Sequence, residues 1–318
     1  MKRKSLFVVL ILLVMIGVWG FISLKSTPLT EHQQTTSAVI NDELAYKEND
    51  QLVYKETEVF LTSPYKQPAL YEEAFASASA SASATGKQTV LAGITSHHFL
   101  AKNLIANFFQ GIDNSNIRQI ILIGPDHFNY TIHDQFLAHS SLLNWQTPFS
   151  ILNSGQNLIN QLHQQALITI KDTAFRNEHS IYTLIPFIKY YFPEADVVPL
   201  ILNPKKANSE FFDFGQTIKK DLDSSSTLLI VSSDFSHQLS LEKSQQTDLE
   251  SINTLNELNL ANLETVNCDC QPCLAFLLGY LADESYQFAL IDNKSSAEFS
   301  DETQETVTSY VSAYFVKK

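Results

Sequence analysis

The stretch Thr89-Val90-Leu91-Ala92-Gly93-Ile94, followed by Leu100, Leu104, Ile105 and Phe108 and then by Ile120-Ile121-Leu122-Ile123, decides the fold class. The two outer runs are apolar throughout, as expected of strands buried on both faces, and the residues between them recur at helical spacing. Strand, helix and strand within about 35 residues form a βαβ unit, whose right-handed crossover makes the strands parallel. Runs of the same kind recur at Val197-Val198-Pro199-Leu200-Ile201-Leu202, Leu228-Leu229-Ile230-Val231, Phe288-Ala289-Leu290-Ile291 and Val311 to Val316. Ile181, Leu184, Ile185, Ile188 and Phe192 mark an amphipathic helix, and Phe211 to Leu222 mark a second. The alternation predicts an α/β domain over 88–318, a three-layer sandwich around a mostly parallel central sheet.

Upstream the composition changes twice. Residues 6–24 contain no charged side chain and follow Lys2, Arg3 and Lys4. About 20 apolar residues rising 1.5 Å each cross a hydrocarbon layer of roughly 30 Å. The expectation is an N-terminal transmembrane helix over 1–25, with its cations in the cytoplasm and the remainder on the extracytoplasmic side. The alternative is a signal peptide whose cleavage releases a secreted protein. Gly20-Phe21-Ile22-Ser23 is a poor small-x-small site for that, and no cysteine stands there to carry a lipid. Residues 26–87 are expected to be a linker. Its Ala/Ser tract, Ala76 to Ala84, buries too little to offset its ordering entropy, while Leu52-Val53-Tyr54 and Val59-Phe60-Leu61 can dock on the domain.

Charge narrows the partners. The 318 residues carry 21 Lys+Arg against 34 Asp+Glu, with no basic cluster beyond the first four positions, so no nucleic acid is expected as a partner. Neither a Gly-x-Gly-x-x-Gly fingerprint nor a phosphate-binding loop is present, which argues against nucleotide cofactors.

The histidines are the informative residues. His97 and His98 follow the strand ending at Ile94, His127 follows the strand ending at Ile123, and His237 follows the strand ending at Val231. Parallel strands bring these three loops to one carboxyl edge, where open α/β sheets place their ligands. His179 opens the helix near Ile181, and Cys268 precedes another helix, with Pro272 suited to its first turn. Loop histidines with one acid and one thiol suggest a divalent metal held by imidazole and by sulfur or oxygen. His32, His133, His139 and His163 have no such placement and are assigned to surface or core.

All three cysteines fall between 268 and 273. Cys270 and Cys273 form a single Cys-x-x-Cys, weak support for a zinc knuckle. Outside the membrane, two of the three thiols can instead pair as a disulfide, in competition with metal binding. Ser232 and Ser233 stand beside Asp234 and His237, but no Gly-x-Ser-x-Gly elbow accompanies them.

Four segments resemble the MEMO family, whose bacterial and archaeal members are labelled AmmeMemoRadiSam system protein B. They are Ser96-His97-His98-Phe99-Leu100-Ala101, Ile123-Gly124-Pro125-Asp126-His127, Glu178-His179-Ser180-Ile181 with Pro186-Phe187, and Ser232-Ser233-Asp234-Phe235-Ser236-His237. Their order and spacing fit across 88–318, with residues 1–87 largely outside. The resemblance implies the fold of class III extradiol dioxygenases and a pocket holding iron or copper through two histidines and one cysteine. Carried over by position, these are His97, His127 and Cys268. Asp269-Cys270-Gln271-Pro272 stands where the family has Gly-Arg-x-Pro, which leaves Cys270 as an alternative third ligand. Asp234 and His237 match the remaining pocket residues, and His179 matches the histidine of the Glu-His-Ser motif.

Two imidazoles and a thiolate form a softer set than the dioxygenases' two histidines and a carboxylate, which favours copper or zinc more than theirs does. Ring-opening chemistry therefore does not follow from the fold. The expectation is a non-haem, redox or dioxygenase-like metalloenzyme taking a small-molecule or peptide ligand. In it His179 and His237 would serve as acid/base or supporting groups, and Asp234 would orient a histidine or a water. The alternatives are a non-catalytic module that holds a peptide or metal, and a metal-dependent hydrolase with Asp234 or His237 as base.

Overall fold

The computed structural model describes residues 45–48, 51–54, 60–82, 86–220, 222–257, 259–300 and 305–318. The span expected over 1–25 lies outside these residues. Among the described residues, no helix is long and apolar enough to cross a membrane. The chain divides after Glu58. In the first unit, strands β1 (Ala45–Glu48) and β2 (Gln51–Tyr54) pair antiparallel.

The second unit, Val59–Lys318, holds the remaining elements. In order they are β3 (Leu61–Thr62), α1 (Ala69–Ala82), β4 (Val90–Thr95), α2 (Lys102–Gln110), β5 (Gln119–Gly124), β6 (Ala138–Ser140), β7 (Trp145–Gln146), β8 (Ile151–Leu152), α3 (Gln156–Gln164) and β9 (Ile168–Ile170). Then follow α4 (His179–Tyr182), α5 (Ile185–Tyr191), β10 (Asp196–Leu202), α6 (Asn208–Lys220), β11 (Thr227–Ser232), α7 (Leu241–Asn256), α8 (Gln271–Leu281), β12 (Tyr286–Ser295) and β13 (Ser309–Lys317).

One sheet runs β12-β13-β4-β11-β5-β10-β6-β9. Its four middle strands, β4, β11, β5 and β10, are parallel. β13 and β12 continue it antiparallel on one side. On the other side β6 pairs antiparallel with β10, and β9 pairs parallel with β6. The apolar strand runs alternate between two cores. Ile120 and Leu122 join the face covered by α1, α2 and α5, whereas Ile121 and Ile123 join the face covered by α3, α6 and α8. Each such fully buried side chain contributes roughly 1.5–3 kcal/mol, and loading both faces makes the three layers.

Three features depart from the sequence expectation. Residues 76–82 of the Ala/Ser tract are the second half of helix α1. Tyr71, Ala74, Phe75 and Ala78 recur at helical spacing and are buried, and the rings of Tyr71 and Phe75 meet Phe187 at 5.2 and 5.8 Å. Once these aromatics dock the first turns, alanine, the best helix former, carries the helix onward. The compact unit accordingly starts near Val59, not at 88. The single helix expected through Ile181 and Phe192 is two helices, with Pro186 in the first turn of α5, where its missing N–H costs nothing. Strands β6 to β9 are too short to show a periodicity and were not anticipated.

One packing feature bears on the site. A Cβ added at Gly279 of α8 would overlap the Phe212 carbonyl of α6, and one at Gly215 of α6 would overlap the Phe276 carbonyl of α8. The two backbones therefore touch, which clamps α8 and the loop leading into it.

Candidate metal site

Ser232 lies opposite Thr95, and Val231 lies opposite Ile123. β4, β11 and β5 thus end at nearly the same level, and their loops meet as the sequence predicts. His97, His127 and His179 each offer a ring nitrogen within 4.8 Å of the others, and His97 does the same with Asp234 and Asp269. The ring centroids of His97 lie 5.1 Å from those of both His127 and His179, and His127 stacks on His179 at 4.0 Å.

Each of the first two histidines is aimed by a buried partner. Ser232 Oγ donates its proton to the Ser180 carbonyl at 2.5 Å, so its 3.0 Å contact with His97 Nδ1 requires the imidazole N–H as donor. Glu178, fully buried, accepts from the His127 backbone N–H at 3.0 Å and from His127 Nδ1 at 2.7 Å, while also capping α4 through Ser180 N–H at 3.0 Å. Nε2 of both rings is left facing inward, the arrangement that carboxylate and hydroxyl partners impose on metal-binding imidazoles. Local chemistry sets the loops. Asp126 accepts from Tyr130 N–H, Thr131 N–H and the Thr131 hydroxyl at 3.0, 2.6 and 2.7 Å, closing the turn after His127. Gly124 is required because a Cβ there would stand 2.6 Å from Ser180 Oγ.

Asp234 faces the same point from the loop after β11. Its Oδ1 accepts the Ser96 hydroxyl at 2.6 Å and His97 N–H at 3.3 Å, tying two loops together, and its Oδ2 lies 3.7 Å from His97 Nε2. His237 is more exposed and reaches Asp269 Oδ2 at 3.9 Å. Asp269 is the residue that sequence reasoning missed. Ser233 Oγ donates to its Oδ1 at 2.7 Å, and its backbone N–H donates to the Asp234 carbonyl at 3.0 Å. Its Oδ2 is buried without a hydrogen bond, 3.3 Å from His97 Nε2 and 3.6 Å from His127 Nε2. The only signal for it in the sequence is an acid where the resembling family has glycine.

Cys268, the expected sulfur ligand, belongs to neither cluster among the described residues. It is a free thiol packed against the core cluster under α8, while Cys270 and Cys273 pair as a disulfide.

The charges follow from this geometry. Burial lowers the His97 imidazole, but Asp234 and Asp269 outweigh it and leave it raised. Burial also opposes His127, yet the facing carboxylates of Asp269 and Glu178 lift it to about 9. His179 drops to about 4 through burial and the neighbouring His97 and His127. Burial pushes Asp269 up, but His97, His127 and Ser233 hold it well below the usual carboxylate range. Burial, followed by the Asp269 charge, pushes the Cys268 thiol up to about 12.

A family model described as Memo-like protein matches residues 76–314. A MEMO1 family protein of Thermoplasma volcanium is 25% identical over 210 residues, covering 63% of this chain and 75% of the relative. Another, of Thermoplasma acidophilum, is 24% identical over 207 residues with the same two shares. Among solved structures, an uncharacterized protein from Escherichia coli K12 aligns with 70% of this chain and 98% of its own at 10% identity, with a TM-score of 0.47.

Proposed function

Since the chain belongs to the Memo family, we propose that its second unit is a metal-binding domain with redox or dioxygenase-like capacity toward a small organic ligand. The observation that carries the proposal is the pair of imidazoles whose Nδ1 atoms are committed as donors to Ser232 and Glu178, leaving both Nε2 atoms directed inward. The residues fit a metal: next to those nitrogens lies a buried carboxylate oxygen that no protein donor satisfies. Such an atom is costly without a counter-charge. His97 and His127 would hold the ion, and iron or copper there would supply one-electron chemistry with dioxygen.

The surrounding residues have separate tasks. His179, neutral at pH 7 and with its side chain 37% exposed, can take a proton from a ligand hydroxyl at Nε2. Asp234 positions His97 through Ser96 and the backbone. Phe128 is half exposed, with its ring 6.3 Å from that of His179 and 5.8 Å from that of Tyr130. It offers a flat apolar surface for an aromatic ligand beside the site. Residues 6–24, outside the described residues, would hold the unit at the extracytoplasmic face of a membrane, a placement supported by their length and apolarity.

The test is to purify the full chain anaerobically in detergent, measure its metal, and follow oxygen uptake with catechols and with reductant alone. Stoichiometric iron or copper with uptake supports the proposal. Metal without turnover would leave a binding module. Metal content unchanged in both His97→Ala and His127→Ala would overturn the site.

A further inference from the structure

We propose that Asp269, and not the adjacent Cys268, is the third protein ligand of the ion held by His97 and His127. The inference rests on the metal-binding proposal above and sharpens it. The two oxygens of this carboxylate are in opposite situations. Oδ1 is engaged by Ser233 Oγ at 2.7 Å, and the backbone is held by the Asp234 carbonyl at 3.0 Å, so the group cannot rotate away without breaking these bonds. Oδ2, fixed as a result, is buried without a hydrogen bond.

Three imidazole nitrogens surround that oxygen, at 3.3 Å for His97, 3.6 Å for His127 and 3.9 Å for His237. Charge-assisted N–H···O bonds close to about 2.7–2.9 Å, and all three contacts are longer than that. The His97 and His127 contacts are close to the spacing of two ligands on one ion. Donors about 2.0–2.1 Å from a tetrahedral cation are separated by about 3.3–3.4 Å along each edge. The His97 and His127 Nδ1 atoms already donate elsewhere. With an ion bound, each Nε2 presents its lone pair to the metal and the cation offsets the charge of the facing carboxylate.

Cys268 has no comparable position. Its side chain packs against the apolar cluster under α8, and no group of candidate ligands among the described residues includes it. Replacing the thiolate by a carboxylate changes the chemistry of the centre. Two imidazoles and one carboxylate are the set that suits ferrous iron, and the harder oxygen donor removes the preference for cuprous copper that a thiolate would confer. The oxidisable ligand is also removed.

The experiment loads the full chain anaerobically with cobalt(II) and records stoichiometry and optical spectrum for the wild type and variants. Asp269 ligation predicts bound cobalt with d–d bands and no thiolate-to-cobalt charge-transfer band, and Cys268→Ser leaves both content and spectrum unchanged. Asp269→Ala and the isosteric Asp269→Asn should weaken cobalt binding by more than the about 10- to 100-fold typical of groups that merely orient a ligand. Asp269→Cys should recover binding and introduce the missing charge-transfer band. A charge-transfer band in the wild type that Cys268→Ser abolishes would overturn the inference while leaving the metal site standing. A wild-type chain that binds no cobalt would instead overturn the metal-binding proposal, and this inference with it.

Discussion

Glu178→Gln isolates the group that aims His127. The wild-type carboxylate is fully buried and accepts three bonds: His127 Nδ1–H at 2.7 Å and Ser180 N–H at 3.0 Å on Oε1, and His127 backbone N–H at 3.0 Å on Oε2. A glutamine has one acceptor oxygen. Placed at the Oε1 position it keeps two of these bonds and turns its NH₂ toward the His127 backbone N–H, donor against donor. The unsatisfied buried N–H costs about 1–3 kcal/mol of stability. Because Nδ1 still has an acceptor, the ring keeps its tautomer and its aim, but the partner is now neutral and Nε2 becomes a weaker donor. Loss of such a partner lowers metal affinity by about 10- to 100-fold, which is about 1.4–2.8 kcal/mol. The assay is anaerobic competition for metal against a chromophoric chelator, with circular dichroism to show that the variant is folded. Ser232→Ala, which removes a neutral hydroxyl from His97, should weaken binding by less. An unchanged dissociation constant in a folded Glu178→Gln chain would show that Glu178 does not orient a ligand, and would remove His127 from the centre.

Metal itself should stabilise the fold. Free ion at about 100 times its dissociation constant adds about 2.7 kcal/mol, or about 5–11 °C in Tm, and His97→Ala should abolish the shift in a thermal melt. Gly279→Ala sets a Cβ against the backbone carbonyl of Phe212, where no side chain can move aside. A loss of about 3 kcal/mol or more is expected, seen as a Tm lower by about 6–12 °C, with weakened metal binding because α8 follows directly from Asp269. His139 supplies an acid-side term. Burial lowers this imidazole despite Asp134, so the unfolded chain takes up its proton first. The stability it contributes is complete above the ordinary value near 6.5 and declines as pH falls below it. Chelator-treated His139→Asn should therefore show a shallower loss of stability than wild type between neutral and mildly acidic pH, by denaturant titration. An identical slope would refute this.

Much of the fold was legible because its signals are local. A run such as Ile120-Ile121-Leu122-Ile123 can satisfy its apolar side chains only in a strand covered on both faces, and the helical spacing from Leu100 to Phe108 supplies one cover. The strands Ala138–Ser140 and Ile168–Ile170 were not legible, since each is a short piece placed by a distant partner, the first by β10 and the second by the first. Helix α1 was misjudged for a related reason. Its Ala/Ser half has little apolar content of its own, and the helix is held by Tyr71 and Phe75 against Phe187 and Tyr191, more than a hundred residues downstream.

The site divides along the same line. That His97, His127 and His237 follow strands, and so share an edge, is contained in the order of residues, because parallel strands put equivalent loops on one side. Which atoms face the centre is not. The tautomer of His97 depends on Ser232, and the aim of His127 depends on Glu178. The choice between Cys268 and Asp269, neighbours in the chain, depends on Ser233 and Asp234 holding one residue toward the histidines while the other packs on the core. Periodicity places a backbone to within a loop. Selecting between adjacent side chains requires hydrogen bonds from distant segments, and those exist only once the sheet has assembled.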